Sequence, residues 1–330
     1  MDGKSINCMA WLGAAVFIGA CQSGPVGPDR ASRTTGARPR DHSQVPVPPG
    51  IAPSVLAPLS GDALERARLN LPQIIATLSP PPFLRRQEAD APRQTAEAGT
   101  LSAPPNPAPD DPPLAAQRAY VAGREAWHQD QIVESKRQLE LALRLAPKRP
   151  EILRLLGRLY TVTGNKVRGA YYLKQAVAMD PTHPESLFLI GRFSLEQGRW
   201  SEAITTLHAA TKLLEGDRRA GPAVRRLVHH YLGAALTQDR YAAAAIDQYH
   251  AFLGGSTALR RITPFARELV IHDRQAGRTW ASVGDLHHLL NEPEAALAAY
   301  QRATETNGAD HSQLLKRLVY TQLRLGRDDE

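Results

Sequence analysis

Cysteine is nearly absent: the 330 residues hold two, Cys8 and Cys21. Both lie at the start, so the rest of the chain has no disulfide framework and no thiolate metal site. Also missing are a Gly-rich phosphate loop, a G-x-S-x-G elbow and a His-Glu-x-x-His pair. These absences exclude the nucleotide-binding, serine-hydrolase and zinc-protease chemistries that such motifs carry. No catalytic residue, metal ligand or cofactor is expected. Two histidine pairs, His229-His230 and His287-His288, do not change this. Neighbours on a helix point about 100° apart, so these side chains are expected on helix surfaces and not as chelating pairs.

Proline is abundant but unevenly placed: 19 of the 26 fall between residues 22 and 113. Pro-Pro-Pro at 80–82 and the alternating run from Ala103 to Pro113 cannot sustain a long helix or a central strand. Residues 21–113 are therefore expected as a disordered, partly extended linker. One exception is a short helix from Asp62 to Asn70, with apolar character continuing to Leu78, read as a transient helix of the linker or as a segment docked on the repeats or on a partner. The formal charge of +7 resides in residues 114–330, with 30 basic against 23 acidic side chains.

Before the linker, residues 9–20 run without a charge behind Lys4. Twelve residues are too few to cross a bilayer as a helix and suit the apolar core of a signal peptide. Ile18-Gly19-Ala20-Cys21 then resembles the lipobox of bacterial lipoproteins. That resemblance implies removal of residues 1–20 and lipidation of Cys21. Gln22, in place of the Asp that marks inner-membrane retention in that family, implies an outer-membrane anchor with the folded domain in the periplasm. Nucleic acid is not an expected partner there.

From residue 114 the chain repeats. Gly123, Gly157 and Gly191 stand 34 residues apart, and Leu139, Leu173, Leu207 and Ala142, Ala176, Ala210 keep the interval. Between Pro150 and Tyr160 the leucines recur at helical spacing. Gly164-Asn165 breaks that helix, and a second one follows to Asp180-Pro181. Each unit is a helix hairpin that must stack on its neighbours to bury its apolar faces.

Leu153, Leu156-Gly157, Tyr160, Gly164, Leu173, Ala176 and Pro181 together resemble a tetratricopeptide repeat (TPR). The resemblance implies an all-α fold: a right-handed α-solenoid of about five hairpins. Their expected bounds are near 116–149, 150–183, 184–217, 226–259 and 277–310, with a capping helix at 311–325. The stretches 218–225 and 260–276 break the period and read as insertions.

In that family the first helix of each unit lines a concave groove. The corresponding positions place Tyr120, Arg124, Trp127, Arg154, Arg158, Phe188 and Arg192 on it, with His230, Gln238, Asp285 and His288 further on. Arg124, Arg158 and Arg192 each follow a repeated Gly, which reads either as a basic stripe beside aromatic grips or as a solvated face partly neutralised by Glu151 and Glu185. Arginine forks favour carboxylates, which points to an acidic or C-terminal peptide of a protein partner. The expected function is a non-catalytic scaffold or assembly factor of the envelope, of the pilus, exopolysaccharide-export or outer-membrane type. The alternatives are a module for peptidoglycan or an anionic polysaccharide, and an accessory domain of an envelope enzyme complex.

Overall fold

The computed structural model describes residues 46, 48–89, 114–216, 221–255 and 263–326. The signal peptide, Cys21 and the rest of the expected linker lie outside them. Every regular element among the described residues is a helix.

Four short helices come first: α1 (Pro53–Leu56), α2 (Asp62–Ala67), α3 (Leu71–Thr77) and α4 (Pro82–Ala89). The repeat hairpins follow as α5 (Leu114–His128) with α6 (Ile132–Leu145), α7 (Pro150–Val162) with α8 (Lys166–Met179), and α9 (Pro184–Glu196) with α10 (Trp200–Gly216). The fourth hairpin is α11 (Pro222–Gln238) with α12 (Ala242–Leu253). An extra helix, α13 (Pro264–Arg274), precedes the fifth hairpin, α14 (Ala276–Leu289) with α15 (Pro293–Glu305), and α16 (His311–Arg324) closes the array. Proline at the first helical position opens α7, α9, α11, α13 and α15, where its missing N–H costs nothing.

The repeated residues pack on one another. A Cβ added to Gly123, Gly157 or Gly191 would lie 2.8, 2.7 or 2.6 Å from Cγ of Leu139, Leu173 or Leu207, sixteen positions further on in each case. The two repeating series are therefore the two sides of one contact, where the helices of a hairpin cross. Tyrosine takes the leucine's place at the same offset in the last two units, with Gly233 against Tyr249 and Gly284 against Tyr300. Each hairpin turn also carries a left-handed residue: Asp130, Gly164, Gly198, Arg240 and Asn291 have φ of 60°, 92°, 72°, 63° and 62°.

The part of the expected linker that is described, residues 48–89, is not extended chain. It crosses the repeats in reverse order, as a strap. Ile51 and Leu56 bury against Tyr320 of α16, and Lys316 donates to the Pro49 carbonyl at 3.0 Å. The Leu59 amide donates to the Leu289 carbonyl at 3.0 Å. Arg66 reaches Asp239 at 3.1 Å and stacks on Tyr241 at the turn of the fourth hairpin. Ala67, Ile74 and Leu84 then enter the main core, and α4 packs on α8. A reciprocal Asn70–Gln73 cap starts α3. Pro58 and Pro80 follow closely on α1 and α3, yet apolar side chains between the prolines suffice to dock the segment.

Candidate functional site

The inner face of the solenoid is made by α5, α7, α9, α11 and α14. Its later part is covered by the chain itself. Helix α13 lies across α7, α9 and α11: the Phe265 ring meets Phe188 edge-on at 5.6 Å and Arg158 over its face at 5.2 Å. One turn on, Glu268 accepts from Arg192 Nη1 at 2.9 and 2.8 Å and from the Tyr231 hydroxyl. His272 lies 4.1 Å from the His230 ring, and Asp273 pairs with Arg226 at 2.7 Å. Phe265, Ala266 and Leu269 of α13 are buried, Leu269 completely. Over the fifth hairpin, α16 covers the inner face: Arg317 binds Asp285 at 2.8 and 3.2 Å, and Tyr300 donates to the same carboxylate at 2.7 Å.

Along α14, pockets of about 200 and 360 Å³ remain beside α13 and α16, and the early part has no covering helix. Between α5, α7 and α9 lies a pocket of about 270 Å³ whose walls include Tyr120, Glu151, Arg154, Leu155, Arg158 and Leu189. Its arginines have partners: Arg154 binds Asp180 at 2.5 Å, and Arg158 lies 3.5 Å from Glu185. Burial pushes the Asp180 carboxyl up, but hydrogen bonds from Thr182 and Arg154 outweigh it and hold the group below its usual range. Arg158 Nε is buried with no hydrogen-bond acceptor among the described residues.

The expected site residues thus divide. Tyr120, Arg154 and Arg158 meet at the open pocket. Arg192 and Phe188 lie beneath α13, with Phe188 fully buried. Trp127 is half-buried against the cluster of Leu139, Leu156 and Leu159, and Arg124 is exposed with no ion pair among the described residues. Of the three stripe arginines, Arg158 and Arg192 face carboxylates of Glu185 and Glu268, so no continuous bare basic stripe forms. What the repeat pattern missed is Phe265 and Glu268, although Thr263-Pro264 was a legible helix start: the Thr263 hydroxyl accepts from the Ala266 amide at 3.1 Å.

Of the histidines expected at the surface, His288 is inside and His230 is half-buried. His288 is fully buried, hydrogen-bonded to Thr321 at 2.8 Å and beside Arg324 Nη1 at 3.3 Å, because α16 covers α14. Burial, and then the Arg324 charge, lower its pKa to about 4. Burial and the facing His272 take His230 to about 3. Among the described residues, no three His, Cys, Asp or Glu side chains gather as a metal site.

Family models described as tetratricopeptide repeat match residues 120–184 and 167–227. Tetratricopeptide repeats are thus present in this chain, in an all-helical solenoid of hairpins. No curated protein matches the chain. Among solved structures, a crystal structure of MamA protein is 18% identical, with a TM-score of 0.45 over 58% of this chain and 91% of that one. MamA, residue 41 to the end, from Desulfovibrio magneticus RS-1 is 15% identical over 59% and 96%, with a TM-score of 0.44. PilF of Pseudomonas aeruginosa is 18% identical over 65% and 87%, with a TM-score of 0.42.

Proposed function

We propose that the chain is a non-catalytic scaffold of the bacterial envelope, anchored through lipid on Cys21, whose open groove over the first three hairpins captures a protein partner. The observation that carries this is the uncovered inner face of α5, α7 and the start of α9, beside a remainder that α13 and α16 cover in part, leaving pockets of about 200 and 360 Å³ along α14. Leu155 and Leu189 offer apolar contact there, and Arg154 and Arg158 can exchange Asp180 and Glu185 for carboxylates of a partner. Recognition by such a surface reads an extended or helical segment with both apolar and acidic side chains.

The test is a photo-crosslinking residue at Leu155, compared with one at Val133, which is 83% exposed on α6 outside the groove. One envelope protein should crosslink at 155, not at 133, and be lost when Arg154→Glu and Arg158→Glu are combined. Equal crosslinking at both positions, or capture indifferent to the double change, sinks the groove reading.

A further inference from the structure

Helix α13 is not needed to continue the solenoid. Helix α12 packs directly against α14, as one hairpin packs on the next, and α13 makes only a small contact with α14. It is an added element that interrupts the 34-residue period, and it lies where the groove's ligand would lie. Ion pairs also join successive hairpins, as Arg158 with Glu185 and Lys174 with Glu202; α13 adds an aromatic anchor to such pairs. Helix α13 is held by a buried face of Phe265, Ala266 and Leu269, flanked by carboxylates on Arg192, Tyr231 and Arg226. Such a mix of aromatic anchor and charge-assisted hydrogen bonds characterises recognition of a docked helix. Its outer face, with Val270 and Ile271, is exposed.

We propose that α13 occupies in cis a socket for a partner helix. The socket, on the inner faces of α9 and α11, takes a helix bearing an aromatic residue, a carboxylate three positions later and an aliphatic residue immediately after. This deepens, and rests on, the reading of the inner face as a partner groove. The spacing follows from Phe265, Glu268 and Leu269: positions i, i+3 and i+4 share one helical face. Phe188 and the Arg158 guanidinium receive the ring, and Arg192 with Tyr231 receives the carboxylate. A competing helix with the same face replaces each contact that α13 gives up, so exchange is a substitution and not a net loss. The open pocket at Arg154 and Arg158 adjoins the Phe265 end of α13, and a partner engaged there can extend into the socket.

The probe is a fluorescent synthetic peptide of residues 263–275, titrated by anisotropy against the full chain. The chain carrying Phe265→Ala and Glu268→Ala should bind it about tenfold or more tightly than the unaltered chain does. Replacing the peptide's own Phe and Glu with Ala should abolish binding. Equal affinity for the two chains, or binding that survives the peptide changes, overturns the proposal. If circular dichroism shows the double variant unfolded, Glu268→Gln alone serves. Hydrogen exchange should then quicken in residues 264–274 with the hairpins unchanged, and quicken further with peptide; protection of α13 indifferent to saturating peptide overturns it. Neither readout involves the envelope partner, so failed crosslinking at Leu155 leaves this result standing, and the reverse holds.

Discussion

Arg192 and Glu268 stand 76 positions apart in the chain, yet one guanidinium nitrogen lies 2.9 and 2.8 Å from the two carboxylate oxygens. Their side chains are only 16% and 21% exposed, and Tyr231 donates to the same carboxylate. Truncating either partner strands the other beneath α13. Arg192→Ala and Glu268→Ala should each cost about 1–3 kcal/mol, and the double variant much less than their sum. Urea denaturation of the three variants measures this. Additive losses would show that the two side chains act independently.

Glycine at the hairpin crossing is required by space. A Cβ on Gly191 would lie 2.6 and 2.8 Å from Leu207 Cγ and Cδ2, and one on Gly169 would lie 2.8 Å from the Gly157 carbonyl oxygen. Alanine gains about 1 kcal/mol of helix propensity there but overpacks the crossing. Gly191→Ala and Gly169→Ala should each destabilise by about 1–3 kcal/mol, Gly169 more because it meets backbone. Gly216→Ala has nothing within 4 Å and should be neutral or stabilise by about 0.4–1 kcal/mol. Thermal and urea midpoints of the three variants would reveal any other ranking.

The strap belongs to the folded unit. Leu56 and Ile74 are fully buried although they lie in the Pro-rich region. Leu56→Ala and Ile74→Ala should each lower stability by about 2–5 kcal/mol, as core truncations do. Midpoints unchanged from the parent would mean that residues 48–89 dock without contributing.

Stability should fall in mild acid. His288 has its pKa lowered to about 4 by burial and by Arg324, against an ordinary value of 6.5. The unfolded chain therefore takes up a proton on this residue that the native state refuses. Its contribution is complete above pH 6.5 and disappears as pH falls towards 4, about 3 kcal/mol in all. His230, lowered to about 3, acts in the same direction. His288→Asn should flatten the slope of stability between pH 6.5 and 4, whatever it does to the absolute value. An unaltered slope would assign the acid sensitivity elsewhere.

Lipidation at Cys21 is tested most directly by Cys21→Ser, which should abolish fatty-acid labelling and release the chain from membranes. A labelled or membrane-bound variant would remove the anchor from the proposed function.

The hairpins were legible because a period of 34 reports what touches what between neighbouring units. Gly157 and Leu173 advertise their contact by recurring together. Phe265 and Glu268 do not recur, and their partners Phe188 and Arg192 lie more than seventy residues earlier, a separation no local pattern encodes. The strap was legible only in part: the helix at Asp62–Asn70 and its docking on the repeats were readable from Leu64, Ala67 and Leu71, whereas pieces as short as Pro53–Leu56 and Pro82–Ala89 lie among prolines that read as extended chain. Pairing of the arginine stripe was partly legible, since Glu185 is a carboxylate at a groove position of the next unit and meets Arg158; Asp180 on Arg154 and Glu268 on Arg192 were not read from the pattern.

A stack of repeats ordinarily behaves as a one-dimensional array, in which each unit senses only its neighbours and the ends fray first. The strap alters that behaviour. By joining α16 to the second hairpin through Leu56, Arg66 and Ile74, it gives the array interactions of longer range than nearest neighbour. Loosening the cap gives up the strap's contacts at Ile51 and Leu56 as well as those of α15, so unzipping from this end costs more than in an unstrapped array.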